Sequence, residues 1–218
     1  MLSRLPPTTK ALLIANSIVF VLQQPWLLGF AMIKTFALWP LSMNAFASEG
    51  LPHFMPWQLV SYVFLHAGLS HLFFNLLSLW MFGCALEQTW GQKRFLIFYL
   101  VCVIGAALCQ LIVMHVTGVG LPVLGASGGV FGLLLAYGLL FPKQPIFLIF
   151  PPIRMTAKTF VMVYGAIELV LGVTGEQSGV AHFAHLGGAL FGWLMIRYWR
   201  GQPPFGRNRS GQGKRFLF

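Results

Sequence analysis

At 218 residues, 57% hydrophobic and only 8% charged, with a mean hydropathy of +0.78, the chain falls outside the range of soluble globular domains and reads as a protein of the bilayer. Its formal charge of +10 sits on residues that flank apolar runs or crowd the C-terminus, a pattern of membrane orientation and not of nucleic-acid binding. Long continuous apolar runs exclude a transmembrane β-barrel, and Cys84, Cys102 and Cys109, all inside such runs, show neither metal-ligand spacing nor a secreted disulfide pattern.

One bilayer crossing needs about 20 mostly apolar residues. Six stretches meet this, at 9–27, 70–88, 94–116, 126–141, 157–174 and 181–200, and predict an all-α membrane protein with one six-helix domain over 1–200. The first run follows Arg4 and Lys10 and is not succeeded by a small-residue cleavage site, so it is expected to remain as an anchor. The segment 28–69 carries Trp39 and Trp57, with Trp26 beside it, among several prolines. Indoles suit the membrane interface, and a partly embedded, structured outside loop is expected. The basic tail 201–218, rich in Gly, Pro and Arg, is expected to be disordered on anionic headgroups, at about 1 kcal/mol per basic residue, or to serve only as a topology signal.

With a cytoplasmic N-terminus, the inside segments hold Arg4, Lys10, Lys93, Arg94, Lys143, Arg154, Lys158, Arg197, Arg200, Arg207, Arg209, Lys214 and Arg215, and only Lys34 lies outside. The positive-inside rule therefore places both termini in the cytoplasm and supports an even number of spans.

This orientation brings a few polar residues to the outer half of the membrane. His71 and Asn75 lie in the first turns of the second run, Ser127 opens the fourth, and His185 sits about one turn into the sixth. A serine needs a base to become a nucleophile, and a neutral imidazole is one. The start of a helix at Ser127 offers unpaired N–H groups and a positive dipole end for an oxyanion, and His71 and Asn75, at i and i+4, share a face from which they add two donors. Gly128 and Gly132 on one run, and Gly188 and Gly192 on the other, form stripes of small residues that let two helices approach closely, with or without chemistry.

Rivals are few. The acidic residues are Glu49, Glu87, Glu168 and Glu176, so an aspartyl protease and a Ser-His-Asp triad are excluded. There is no H-E-x-x-H segment, and a metal on His182 and His185 with His66 or His71 is expected to lack an acidic or thiolate partner, so no metal and no cofactor are expected. Gly125 to Gly129 also fits the G-x-S-x-G elbow of α/β-hydrolases, which needs a preceding strand and a soluble sheet that this chain does not supply.

Gly125-Ala126-Ser127-Gly128, the His71-x-x-x-Asn75 pair and Ala184-His185-x-x-Gly188 make the stretch from about Trp57 to Trp199 resemble the rhomboid intramembrane serine proteases of the bacterial six-helix type. Gly83-x-x-x-Glu87 and His66 share the likeness. The resemblance implies a dyad in which Ser127 is the nucleophile and His185 the general base. It also implies an oxyanion site of His71, Asn75 and the Ser127 N–H, with Gly128, Phe131 and Gly188 packed around it. The fifth span and the loop from Glu176 to Gly179 are implied as gate and cap, admitting a transmembrane protein substrate sideways from the lipid bilayer, and the compact plan suggests a bacterial inner membrane.

Two positions depart from many relatives: Gln58 follows Trp57 where arginine is common, and Phe131 stands where some have tyrosine, though its ring is still expected to pack on His185. Glu168, expected at nearly the depth of His185, is read either as a polar latch on the gate helix or as a snorkelling side chain, with a structural role favoured. His53 and His115 are expected at the interface, His66 to tie down the outside loop, and His182 either to sit near the site mouth and shape pH dependence or, the favoured reading, to be a solvated residue at a helix start. The function expected is a serine endopeptidase acting on membrane spans. An inactive relative that binds membrane helices is the alternative, and a transporter is disfavoured because charged lining residues and paired broken helices are missing.

Overall fold

The computed structural model describes residues 5–41, 52–118, 121–148, 152–175 and 181–205. In chain order the helices are α1 (Pro7–Leu22), α2 (Gly29–Phe36), α3 (Gln58–Ser61, continued by a 3₁₀ turn at Tyr62–Phe64), α4 (Leu69–Ser78), α5 (Cys84–Trp90), α6 (Gln92–Thr117), α7 (Ser127–Leu140), α8 (Ala157–Thr174) and α9 (His182–Trp199). A π turn at Leu79–Gly83 joins α4 to α5, so the two run on as one rod from Leu69 to Trp90. Gly91, at φ +79°, breaks that rod from α6 with a backbone that side chains other than hydrogen tolerate poorly.

Among the described residues, three helices are long and apolar enough to cross a membrane: Leu69–Trp90, Gln92–Thr117 and Ala157–Thr174. Two shorter apolar helices, Pro7–Leu22 and Ser127–Leu140, have 16 and 14 residues, or about 24 and 21 Å of rise. The architecture is mostly helical, as the apolar runs predict. The first helix, however, stops at Leu22 instead of near residue 27. Residues 23–28 turn instead, since Pro25 does not continue the helix and disfavours it for Gln24; Gln23 at the helix end binds the outside loop, its Nε2 donating to the His66 carbonyl and its Oε1 accepting from His66 N at 2.9 Å. A short antiparallel hairpin, β1 (Pro145–Phe147) and β2 (Arg154–Thr156), was not expected in the link between α7 and α8.

At the centre α9 lies against α6 and α7, the most extensive helix contacts among the described residues. Phe95, Phe98, Tyr99, Cys102 and Leu133 are fully buried there. By contrast α8 touches only part of α7 and α9 and leaves Met162, Ile167, Val170 and Val173 exposed, a face suited to lipid.

Two buried polar anchors hold the periphery. Glu87, on α5, accepts from Thr8 N at 2.8 Å, Thr9 N at 2.7 Å and Thr9 Oγ1 at 2.7 Å, so a carboxylate caps the N-terminus of α1 where the helix dipole favours negative charge. Gln58 is 1% exposed; its Oε1 accepts from Trp39 N and Met55 N, each at 3.2 Å, and its Nε2 donates to Thr35 O at 3.2 Å. The loop is thus anchored by a neutral amide. Further links come from Trp57 Nε1 to Thr35 O at 2.9 Å and Ser61 Oγ to Phe36 O at 2.8 Å. The loop in turn steers the entry to α7: Leu38 and Val123 exchange backbone hydrogen bonds at 2.9 Å each way, and Gly125 N donates to Tyr62 O at 3.0 Å. The tail from residue 206 onward and the loop from Glu176 to Gly179, expected as a cap, lie outside the described residues.

Candidate active site

Ser127 is the first residue of α7, and the first internal bond of that helix is Val130 N to Ala126 O at 3.0 Å. The N–H groups of Ser127, Gly128 and Gly129 therefore have no carbonyl one turn earlier to bind, and they concentrate positive potential around the hydroxyl. Gly125 makes the approach possible. Its φ is +122°, and a Cβ there would lie 2.7 Å from His71 Cε1 and Nε2 and 3.7 Å from Ser127 Oγ. The imidazole of His71 and the serine hydroxyl thus border one small space that only glycine leaves open.

From α9, His185 Nε2 comes within 2.7 Å of Ser127 Oγ, 58 residues away in sequence. Its ring stacks on Phe131 with centroids 4.3 Å apart and planes 4° from parallel, and Phe131 stacks in turn on Tyr164 of α8 at 5.4 Å. The phenolic hydroxyl that Phe131 lacks is not needed for this packing. What brings the two helices so near is their glycines. A Cβ on Gly188 would lie 2.7 Å from the carbonyl carbon of Gly128 and closer still to its oxygen, and one on Gly132 would lie 3.0 Å from the Gly188 carbonyl.

His71 and Asn75 lie on α4, Asn75 buried. The backbone N–H of Ala67 donates to His71 Nδ1 at 3.4 Å, so in the neutral ring the hydrogen sits on Nε2, the edge against Gly125. Asn75 Nδ2 donates to the His71 carbonyl at 3.0 Å, which fixes one amide hydrogen and leaves the group a second. His66 packs edge-on against His71 at 5.1 Å; its backbone, and not its ring, ties down the loop through Gln23. His53 and His115 are exposed.

Two expectations about the other side of His185 need correction. His182 is buried, not solvated, and its Nδ1 lies 2.7 Å from Glu168 Oε2. The same oxygen lies 2.8 Å from His185 Nδ1. Nor do these histidines lack an acidic neighbour, since ligand atoms of Glu168, His182 and His185 all lie within 4.8 Å of one another. The sequence held a signal for this: His182 and His185 are spaced i and i+3, which puts them on one helix face, and Glu168 was expected near their depth. Only the packing of α8 on α9 brings the carboxylate to that face.

Residues 53–201 match the family model described as the Rhomboid domain. The chain belongs to the rhomboid family. It is similar to Rhomboid protease GluP of Bacillus subtilis, 33% identical over 63% of this chain and 25% of that protein. It is likewise similar to RHOMBOID-like protein 4 of Arabidopsis thaliana, 33% identical over 72% of this chain and 38% of that protein. The mitochondrial presenilin-associated rhomboid-like protein of Rattus norvegicus is 30% identical over 90% of this chain and 51% of that protein. The chain thus spans a quarter to a half of the length of these curated relatives. Rhomboid relatives occur in bacteria, plants and mitochondria, and include both a named protease and rhomboid-like proteins.

Proposed function

We propose that this rhomboid is an intramembrane serine endopeptidase that cuts membrane-spanning segments of proteins with Ser127 as nucleophile and His185 as general base. The observation that carries the reading is the 2.7 Å approach of His185 Nε2 to Ser127 Oγ, between two helix starts, with the helix dipole of α7 behind the hydroxyl. His185 Nε2 takes the proton as Oγ attacks the scissile carbonyl carbon, and a tetrahedral intermediate forms. Its oxyanion is met by the Ser127 N–H and by His71 Nε2–H across the space beside Gly125, with Asn75 as a further donor. His185 then returns the proton to the leaving amine, and water, activated by the same imidazole, releases the acyl group.

The finer placement belongs to the same proposal. The apolar runs that become α1, α4 with α5, α6, α7, α8 and α9 make six spans, two of them, α1 and α7, shorter than a full crossing. Both termini face the cytoplasm and Ser127 opens toward the opposite side, a placement supported by the distribution of basic residues, and the compact plan supports a bacterial inner membrane with the site on its periplasmic side. Substrates enter past α8, whose contacts with the bundle are the least extensive of the long helices and whose outer face is apolar.

The test is turnover of a fluorescent single-span substrate by purified protein in liposomes. Wild type cleaves; Ser127→Ala and His185→Ala bind the substrate and do not. Binding without turnover by the wild type would instead identify an inactive rhomboid-like binder.

A further inference from the structure

We propose that Glu168 is a positioning residue for the reaction: its carboxylate, carried on α8, orients the His185 ring and fixes which of its nitrogens holds the hydrogen. This rests on the reading of Ser127 and His185 given above. Glu168 Oε2 is 2.8 Å from His185 Nδ1, the nitrogen opposite the one that meets Ser127. An ionised carboxylate only accepts hydrogen bonds, so Nδ1 carries the hydrogen and the lone pair is left on Nε2, 2.7 Å from the hydroxyl that must lose its proton. The other neutral form, with the hydrogen on Nε2, cannot accept that proton.

When Ser127 Oγ forms its bond to the substrate carbonyl, the proton passes to Nε2 and the imidazolium lies against a carboxylate that stays ionised; the proton later leaves with the amine. His182 completes the arrangement. Its Nδ1 donates to the same oxygen at 2.7 Å, so a buried carboxylate is met by two donors and held in place.

A latch between α8 and α9 would need only the contact with His182. The second contact, on the one nitrogen that governs the basicity of the edge facing Ser127, is what a latch does not require. Because Glu168 is on α8 and both histidines are on α9, movement of α8 away from α9 removes the acceptor from His185. The base is therefore competent only while α8 is seated.

The experiment measures the rate at which a small fluorophosphonate labels Ser127, a reaction that needs an activated serine and no entry of a substrate helix. Labelling by wild type and its loss in Ser127→Ala test the underlying dyad reading separately. Given that result, Glu168→Gln, which keeps size and one acceptor but loses the charge, lowers the labelling rate and kcat by about 100-fold with KM little changed. In a His185→Ala background the same substitution has no further effect. A fall of less than tenfold, or a rise in substrate turnover as expected of a broken latch, overturns the proposal. If Glu168→Gln does not fold, ¹⁵N-histidine spectra of the wild type in bilayers decide. The His185 signals, identified by their loss in His185→Ala, show a protonated Nδ1 and a bare Nε2, and the reverse tautomer overturns the proposal.

Discussion

Gly188→Ala is the sharpest probe of how the two halves of the site are brought together. A Cβ at 188 would stand 2.7 Å from the carbonyl carbon of Gly128, and the contact is with backbone, which no side-chain rotation relieves. Two carbons rest about 3.5–4.0 Å apart and the Gly128 carbonyl oxygen lies nearer still, so α7 and α9 must part by at least about 1 Å at this level. Ser127 immediately precedes Gly128, and His185 lies three residues before Gly188 on the same face of α9, so the separation is passed directly to the reacting pair. Widening their 2.7 Å contact by that amount takes it beyond hydrogen-bond length. A misplacement of about 1 Å costs on the order of 100-fold in rate, while overpacking of this kind destabilises by about 1–3 kcal/mol. The assay is turnover of a single-span substrate in liposomes, normalised to the folded fraction from thermal unfolding. Gly165→Ala on α8, where a Cβ meets nothing within 4 Å, serves as the control and keeps wild-type activity. Wild-type turnover by folded Gly188→Ala would refute the reasoning that close helix approach sets the dyad.

Gly125→Ala forces a side chain into a backbone at φ +122° and against the His71 ring, and turnover falls at least tenfold with a lowered unfolding temperature; unchanged kinetics would show that the space beside Ser127 is not used. His71→Ala removes the proposed Nε2–H donor and lowers kcat by about 10²-fold or more while substrate binding in liposomes is retained. Glu87→Gln removes the charge that caps α1 and destabilises by about 1.5–3 kcal/mol in thermal unfolding, with kcat of the folded fraction preserved. Gln58→Ala leaves the N–H groups of Trp39 and Met55 without their acceptor, and protease nicking within the 28–69 segment accelerates relative to wild type.

The linear chain by itself determined the class, because apolar runs of bilayer length leave helices as the open arrangement. It also marked Ser127, His185, His71 and Asn75, since polar groups that must be placed at depth stand out against an apolar background. The glycine stripes announced a close helix contact in the same way. Tertiary structure alone decided the partners. Whether Glu168 snorkels or reaches a histidine depends on the rotation of α8 against α9, a property of two packed surfaces that neither segment encodes separately. The burial of His182, the amide anchor at Gln58 and the capping of α1 by Glu87 follow the same logic: each joins groups 14 to 79 residues apart or closes a loop on itself, and hydrogen-bond satisfaction across such gaps is settled only when the chain is folded.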